Sequence, residues 1–507
     1  MPILNSIASW WMKKRMHQIE LFMKYPDDVQ NESLRKLISA AKDTEWGRSY
    51  DYKNISTVEQ FKNNVPLQDY ETLKPFIDRI RKGEQNLLWN TDIKWFAKSS
   101  GTTNDKSKFI PVSQESLDNC HYNGGRDMIA IHCSLNPETQ LFTGKNLALA
   151  GSLVTDTFGN YESQNGDLSA IVINNLPIWA EFFRAPDLSI ALLDKWDEKL
   201  EKLSKATMEQ NMVSLAGVPS WMLLIMKRVL EESGKKSIAE VWPNLEVYFH
   251  GGVNFHPYKE QFKTIFNKPD LNYLELYNAT EGFFGIQDLR NSDELLLMLD
   301  YGIYYEFINV EDVEQENPKT FSLSEVNLEN NYAMVISTNA GLWRYKLGDT
   351  IRFTSLYPFR FKITGRTKHF MNAFGEEIIV DNADKALVIA CEKSFAQIRE
   401  YTAAPVYMND NENGAHEWLI EFEEEPKSIE YFTEMLDNAL KSINSDYEAK
   451  RYQNLALKMP VVHSLPKDTF YKWFESKNKL GGQHKVPRLS NNRKYVEEIH
   501  SILKKEM

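Results

Sequence analysis

Several short stretches of this 507-residue chain carry side chains suited to chemistry on phosphates. The run Lys98-Ser99-Ser100-Gly101-Thr102-Thr103-Asn104-Asp105-Lys106-Ser107-Lys108 combines hydroxyls, a glycine and the Lys108 ammonium. Backbone N–H groups and hydroxyls can donate hydrogen bonds to phosphate oxygens while lysine adds a point charge. It is not a Walker A loop, because no Gly-Lys-Ser/Thr ends it and no strong helical pattern follows. Tyr277-Asn278-Ala279-Thr280-Glu281-Gly282 follows the strand-like residues 273–276. Strand ends are where α/β folds place ligands. Here Tyr277 can stack on a base, Thr280 can reach a phosphate, and Glu281 is a hard oxygen ligand suited to Mg²⁺. Further along, Asp349 follows Gly348 in a short turn and can accept hydrogen bonds from a ribose diol. The pair Gly251-Gly252 after the strand-like residues 245–250 lets a flat ligand lie against backbone. Lys485 sits in a glycine-containing loop, Gly481-Gly482-Gln483-His484-Lys485, from which it can swing into a site elsewhere. Taken singly, each stretch also fits an ordinary polar turn.

These residues need a scaffold. The first ~95 residues read as mostly helical from apolar spacing, with a Ser56-Thr57-Val58-Glu59 capping box, a helix over 69–82 and Gly83 at its end. From residue 95 to about 366, strand-like runs at 147–150, 170–173, 213–216, 245–250, 273–276 and 334–337 alternate with helices at 190–208 and 219–233. That alternation predicts an α/β core built on a parallel or mixed sheet. After residue 366 a smaller α+β pattern follows: strand 418–422, helix 428–443, strand 455–463 and helix 468–477. The expected division is a large domain over 1–365 and a small mobile domain over 366–507, joined at a Thr364-Gly365-Arg366 turn.

The order and spacing of these motifs resemble the Gretchen Hagen family of acyl-acid amido synthetases, a branch of the adenylate-forming superfamily. The resemblance covers nearly the whole chain. Ser99-Ser100-Gly101-Thr102-Thr103 is similar to the family's phosphate loop. Tyr277 to Gly285 resembles its central motif, and Tyr345-Lys346-Leu347-Gly348-Asp349 its Tyr-Arg-Leu-Gly-Asp motif. Two positions depart from the pattern: Asp105 stands where the loop usually has glycine, and Lys346 replaces arginine.

The resemblance implies a two-step, ATP-dependent reaction. A carboxylate attacks the α-phosphate of MgATP to give an acyl-adenylate and pyrophosphate; an amine, typically that of an amino acid, then displaces AMP. On that reading Ser99, Ser100, Gly101, Thr102, Thr103 and Lys108 hold phosphates, with Thr280 beside them. Glu281 holds Mg²⁺, Gly251, Gly252 and Tyr277 flank the adenine, and Asn278 and Ala279 belong to the same ATP-binding set. Asp349 and Arg366 bind ribose, and Lys485 comes in from the small domain during adenylation. The acyl pocket is expected around Val218, Pro219 and Trp221, where a strand breaks into a helix. No residue stands out as a base for the amine. A thiol acceptor, as in acyl-CoA synthetases, shares the first step, and a nucleotide-binding relative without catalysis is the third alternative.

Composition agrees with a small-molecule enzyme. Lys and Arg number 59 against 71 Asp and Glu, a formal charge of −12, which argues against broad nucleic-acid binding. Three scattered cysteines make neither a disulfide framework nor a zinc site. There is no GxSxG and no HExxH, which argues against serine and zinc hydrolases. No apolar run approaches the ~20 residues that span a bilayer. The amphipathic N-terminal stretch is expected to pack on its own domain. The expectation is a cytoplasmic monomer or weak homo-oligomer.

Overall fold

The computed structural model describes residues 2–100, 107–193, 195–253, 255, 258–367, 370–408, 413–454, 456–477 and 486–506. The chain is mixed α/β, as its alternating pattern requires. Its largest sheet has eleven strands. From Asn272–Ala279 the sheet runs parallel in one direction, through Val247–Gly251, Met212–Gly217, Lys145–Ala148 and Arg184–Ala185. In the other direction it runs antiparallel, through Gly282–Ile286, Leu295–Leu297, Phe359–Arg366, Tyr345–Leu356, Tyr332–Thr338 and Ile303–Asn309. The central parallel strand Val247–Gly251 is a short apolar run; Val247, Tyr248 and Phe249 are all within 1 % of complete burial. A second, four-stranded sheet places Trp95–Ser100 between Ser107–Val112 and Tyr161–Gly166.

The N-terminal helices Pro2–Lys24 and Pro26–Ala41 pack on this domain through Ile19, Phe22, Leu34 and Leu37. Arg15 anchors the first of them: its guanidinium grips Asp127 at 2.5 Å and Asp300 at 2.6 Å. The helix Tyr70–Arg81 is capped by Asp69 and followed by Gly83 at φ +102°. The capping box expected at Ser56 is shifted by one residue. Thr57 is the cap and Gln60 its partner, because the Gln60 side chain reaches the Thr57 N–H.

Several local expectations fail, among them the turn at Asp349, which lies inside the strand Tyr345–Leu356, and the strand over 455–463, which runs instead over Val461–Leu465. Residues 170–173 belong to a helix, Leu168–Asn174, which buries Ala170, Ile171 and Ile173; burial outweighs the β-branched bias of this run. The helix expected over 190–208 is two helices, Leu188–Ala191 and Trp196–Thr207, parted where Lys195 is extended. Thr364, Gly365 and Arg366 form no turn: they end the strand Phe359–Arg366, with Arg366 opposite Asp349.

Beyond residue 370, the strands Gln397–Val406, Ala415–Glu424 and Val461–Leu465 form a separate three-stranded sheet with the helices Val380–Ser394 and Ile429–Ile443. This part packs against the parallel side of the large sheet. Met371, Phe374 and Tyr401 share an apolar core with Tyr248, Phe262 and Phe266. The Tyr258 hydroxyl donates to the Ala373 carbonyl at 2.6 Å.

Candidate functional site

The central motif is a tight hairpin rather than a strand-to-helix turn. The strand Asn272–Ala279 continues through Tyr277 and turns at Thr280-Glu281. It then returns antiparallel as Gly282–Ile286, with Phe283 opposite Asn278. Strand alternation therefore sends Tyr277 inward. Its ring is 7 % exposed and packs on Phe284 and Phe361 at centroid distances of 5.0 and 6.0 Å. What Tyr277 offers is its hydroxyl, which donates to Asp349 Oδ2 at 2.5 Å. Burial, reinforced by the Asp349 charge, raises the Tyr277 phenol well above its ordinary pKa, so it remains a donor.

Asp349 is the hub of this cluster. Arg366 Nε donates to its other oxygen at 2.6 Å, and Arg366 Nη2 reaches Glu377 at 3.1 Å. The Arg366 guanidinium also lies 4.9 Å from the centre of the Phe370 ring. Three groups separated by up to 89 positions are thereby locked in one hydrogen-bonded chain, Tyr277–Asp349–Arg366. Each Asp349 oxygen keeps a further lone pair for an incoming donor.

Glu281 stands at the tip of the hairpin. The Thr280 hydroxyl is turned onto its Oε2 at 2.6 Å, and Tyr345, from the third motif, comes within 3.5 Å of Oε1. Burial pushes the Glu281 carboxyl up, the Lys108 ammonium and Thr280 oppose it, and Glu377 adds to the rise. Lys108 lies opposite Ser99 in the strand pair that leads into and out of the phosphate loop. Ser100 ends its strand. Gly101, Thr102, Thr103, Asp105 and Lys485 lie outside the described residues. Asn278 is exposed, and Ala279 is half-buried.

The two glycines also have local structural reasons. A Cβ on Gly251 would sit 2.3 Å from the Leu276 carbonyl oxygen, so the glycine permits close approach of neighbouring strands. Gly252 has φ +82°, and a Cβ there would meet Val218 Cγ2 at 3.3 Å. Val218 caps the helix Pro219–Ser233, which starts at buried Pro219 and carries Trp221 one turn in. The acyl-side stretch and the glycine pair are therefore adjacent. His250, just before them, is buried against Phe255 at 4.0 Å, and burial pushes its imidazole down to about 3. Sequence reasoning missed Glu377, whose only local signal is a Glu-Glu pair after a glycine, and did not single out Tyr345 within its motif.

Comparison with known proteins agrees with this geometry. Models of the GH3 family match the chain in three consecutive parts: the N-terminal domain over residues 15–271, the central domain over 296–366 and the C-terminal domain over 381–494. An indole-3-acetic acid-amido synthetase, GH3.3 of Arabidopsis thaliana, is 22 % identical, over 94 % of this chain and 91 % of its own. A 4-substituted benzoates-glutamate ligase, GH3.12 of the same plant, is also 22 % identical, over 94 % and 95 %. The structure of the acyl acid amido synthetase AtGH3.15 in complex with 2,4-DB superposes with a TM-score of 0.59 at 18 % identity, covering 94 % of this chain and 93 % of that one. With the N-terminal model alone spanning just over half of its residues, and the central and C-terminal models following in order, this chain belongs to the GH3 family.

Proposed function

We propose that this protein is an ATP-dependent acyl-acid amido synthetase that activates a small carboxylic acid as its adenylate and transfers the acyl group to an amino acid. The observation that carries the reading is the chain Tyr277–Asp349–Arg366, beside a hairpin that presents Glu281 toward the Lys108 strand. In the first step an acid oxygen bonds to the α-phosphorus and pyrophosphate leaves with the electron pair. In the second, the amine nitrogen bonds to the acyl carbon, the carbon–oxygen bond to AMP breaks, and the nitrogen sheds its protons. Such displacements need positioning and charge stabilisation more than a covalent group.

Each residue has a part in this reading. Asp349, fixed from both sides, accepts from the ribose hydroxyls, with Arg366 alongside. Ser99 to Thr103 and Lys108 hold phosphates, while Gly251, Gly252 and Asn278 lie along the adenine. Val218, Pro219 and Trp221 face the acid. Glu281 fits Mg²⁺: its Oε1 has one long contact, at 3.5 Å, which leaves hard oxygen lone pairs available. Bound there, Mg²⁺ supplies charge neutralisation to the phosphates. Lys485 comes in from the small domain, 366–507, and neutralises charge at the α-phosphate. Rotation of that domain about residues near 366–370 then admits the amine.

Among the described residues no helix is long and apolar enough to cross a membrane. Three unpaired cysteines suit a reducing compartment, and we place the protein in the cytoplasm on that ground. The test is ATP–pyrophosphate exchange with pooled carboxylic acids and no acceptor. Acid-dependent exchange is expected, and Lys485→Ala slows it while leaving ATP binding within about twofold, about 0.4 kcal/mol. Absence of exchange with every acid refutes the adenylation reading, and unchanged exchange in the variant removes Lys485 from the mechanism.

A further inference from the structure

The short helix Ser445–Arg451 of the C-terminal part packs against the strand Trp95–Ser100, which leads into the phosphate loop. Two of its side chains, Asp446 and Lys450, are one helical turn apart and so share a face, about 6 Å between Cβ atoms. They do not form an ion pair with each other. Among the described residues neither side chain has a hydrogen bond or a salt-bridge partner. Lys450 Nζ lies 4.3 Å from the centre of the Trp221 ring, on the stretch that faces the acid in our reading. Lys450 passes close to Gly375, at φ +89°. A Cβ there would lie 3.2 Å from Lys450 Cε and 3.4 Å from Nζ. On the other side, Asp446 feels the charge of Glu377, the residue that pairs with Arg366 and through it with Asp349. The pair thus adjoins the acyl-side tryptophan on one side and senses Glu377 of the ribose-side cluster on the other.

We propose that Asp446 and Lys450 form the acceptor subsite and take the head group of an amino acid, Lys450 holding its carboxylate and Asp446 its ammonium. This rests on the ligase reading above. An unpaired half-buried anion and cation on one helix face complement a zwitterion, whose two charges are fixed a few ångströms apart. They do not complement a neutral thiol.

The electrostatics point the same way. Burial, with Glu377 adding, pushes the Asp446 carboxyl up to about 7; Lys450 opposes this, and Asp167 and Glu376 reinforce it. Burial lowers the Lys450 ammonium, opposed by Asp446, Asp167 and Glu376. Each group is costly without a partner, and a bound zwitterion gives each one. Other charges on the elements packed here are already engaged. Lys98 lies 5.8 Å from the Phe109 ring centre, and Asp437 is held by Arg451 and Lys441.

The experiment separates the two half-reactions on the full chain. Pyrophosphate exchange is measured with a pool of indole-3-acetate, 4-hydroxybenzoate and 2,4-DB. Amide formation is then measured with the most active of these, using the protein amino acids and the carboxamide of the best one as acceptors. The wild type is expected to favour the amino acid over its carboxamide by at least tenfold. In Lys450→Met the KM for the amino acid rises tenfold or more, the preference over the carboxamide collapses to within about twofold, and exchange changes far less. Lys450→Arg retains the preference. Asp446→Asn raises KM for amino acid and carboxamide alike, since both carry the ammonium. A preference that survives in Lys450→Met overturns the proposal, as does a parallel fall of exchange and conjugation in both Lys450 variants. Exchange in the wild type with no amide product from any amino acid overturns the subsite while leaving adenylation standing. No exchange with any acid overturns the ligase reading itself.

Discussion

The Tyr277 hydroxyl is a single atom whose removal tests the ribose cluster. Tyr277→Phe keeps the ring, and with it the packing on Phe284 and Phe361. It deletes the 2.5 Å hydrogen bond to Asp349 and leaves the carboxylate held from one side by Arg366 at 2.6 Å. A hydrogen bond to a charged group is worth about 1.5–3 kcal/mol. If that bond orients Asp349 for the ribose diol, kcat/KM for ATP in pyrophosphate exchange falls roughly ten- to a hundredfold. The same substitution lowers kcat/KM for 2′,3′-dideoxy-ATP by less than about threefold, because no diol is left to position. Parallel titration of both nucleotides with wild type and variant reads the coupling directly. Equal losses for ATP and dideoxy-ATP, or no loss for ATP with a lowered melting temperature, would refute the reasoning and make the hydroxyl a stability element alone.

Three further outcomes follow from packing and charge. Gly251→Ala forces a Cβ to within 2.3 Å of the Leu276 carbonyl oxygen, so urea unfolding should show a loss of about 1–3 kcal/mol; an unchanged midpoint would mean the strands part freely there. Glu306→Ala strands the buried Arg344 guanidinium, which Glu306 contacts twice at 2.9 Å, and is expected to cost about 3–5 kcal/mol in the same measurement. Glu275 is pushed up to about 7 by burial, with Asp293 adding. The folded state therefore binds its proton more tightly than the unfolded chain, and this group's contribution to stability falls as pH rises from about 4.5 to about 7. Glu275→Gln should then be more stable than wild type at pH 8 and close to it at pH 5, and equal differences at both pH values would contradict the burial argument.

Much of the site's inventory was legible before any coordinates. Glu281 is legible because it follows an apolar strand-like run at a turn; Asp349 and Arg366 enter through the family resemblance, and the turns expected at both are strand in the structure. The helices over 70–81, 219–233 and 429–443 follow from apolar periodicity with caps or prolines at their starts. The orientation of Tyr277 was less legible. The strand-like run was expected to stop at Leu276, whereas pairing with Gly282–Ile286 extends the strand to Ala279 and turns the ring inward. The helix at 168–174 was missed for a related reason. Four apolar residues fit either a strand or a helix, and only what they are buried against decides.

Sequence alone determined most of the elements, their order, the acidic composition and the three motifs that bring the chain into its family, because these depend on local periodicity and on residue type. Tertiary structure alone decided which distant groups meet. Tyr277 and Arg366 converge on Asp349, Arg15 joins Asp127 to Asp300, and the helix carrying Asp446 and Lys450 comes down beside Trp221. Such meetings are set by sheet register and by the burial of whole apolar faces. Both arise from pairings across hundreds of residues, which no local window of the chain contains.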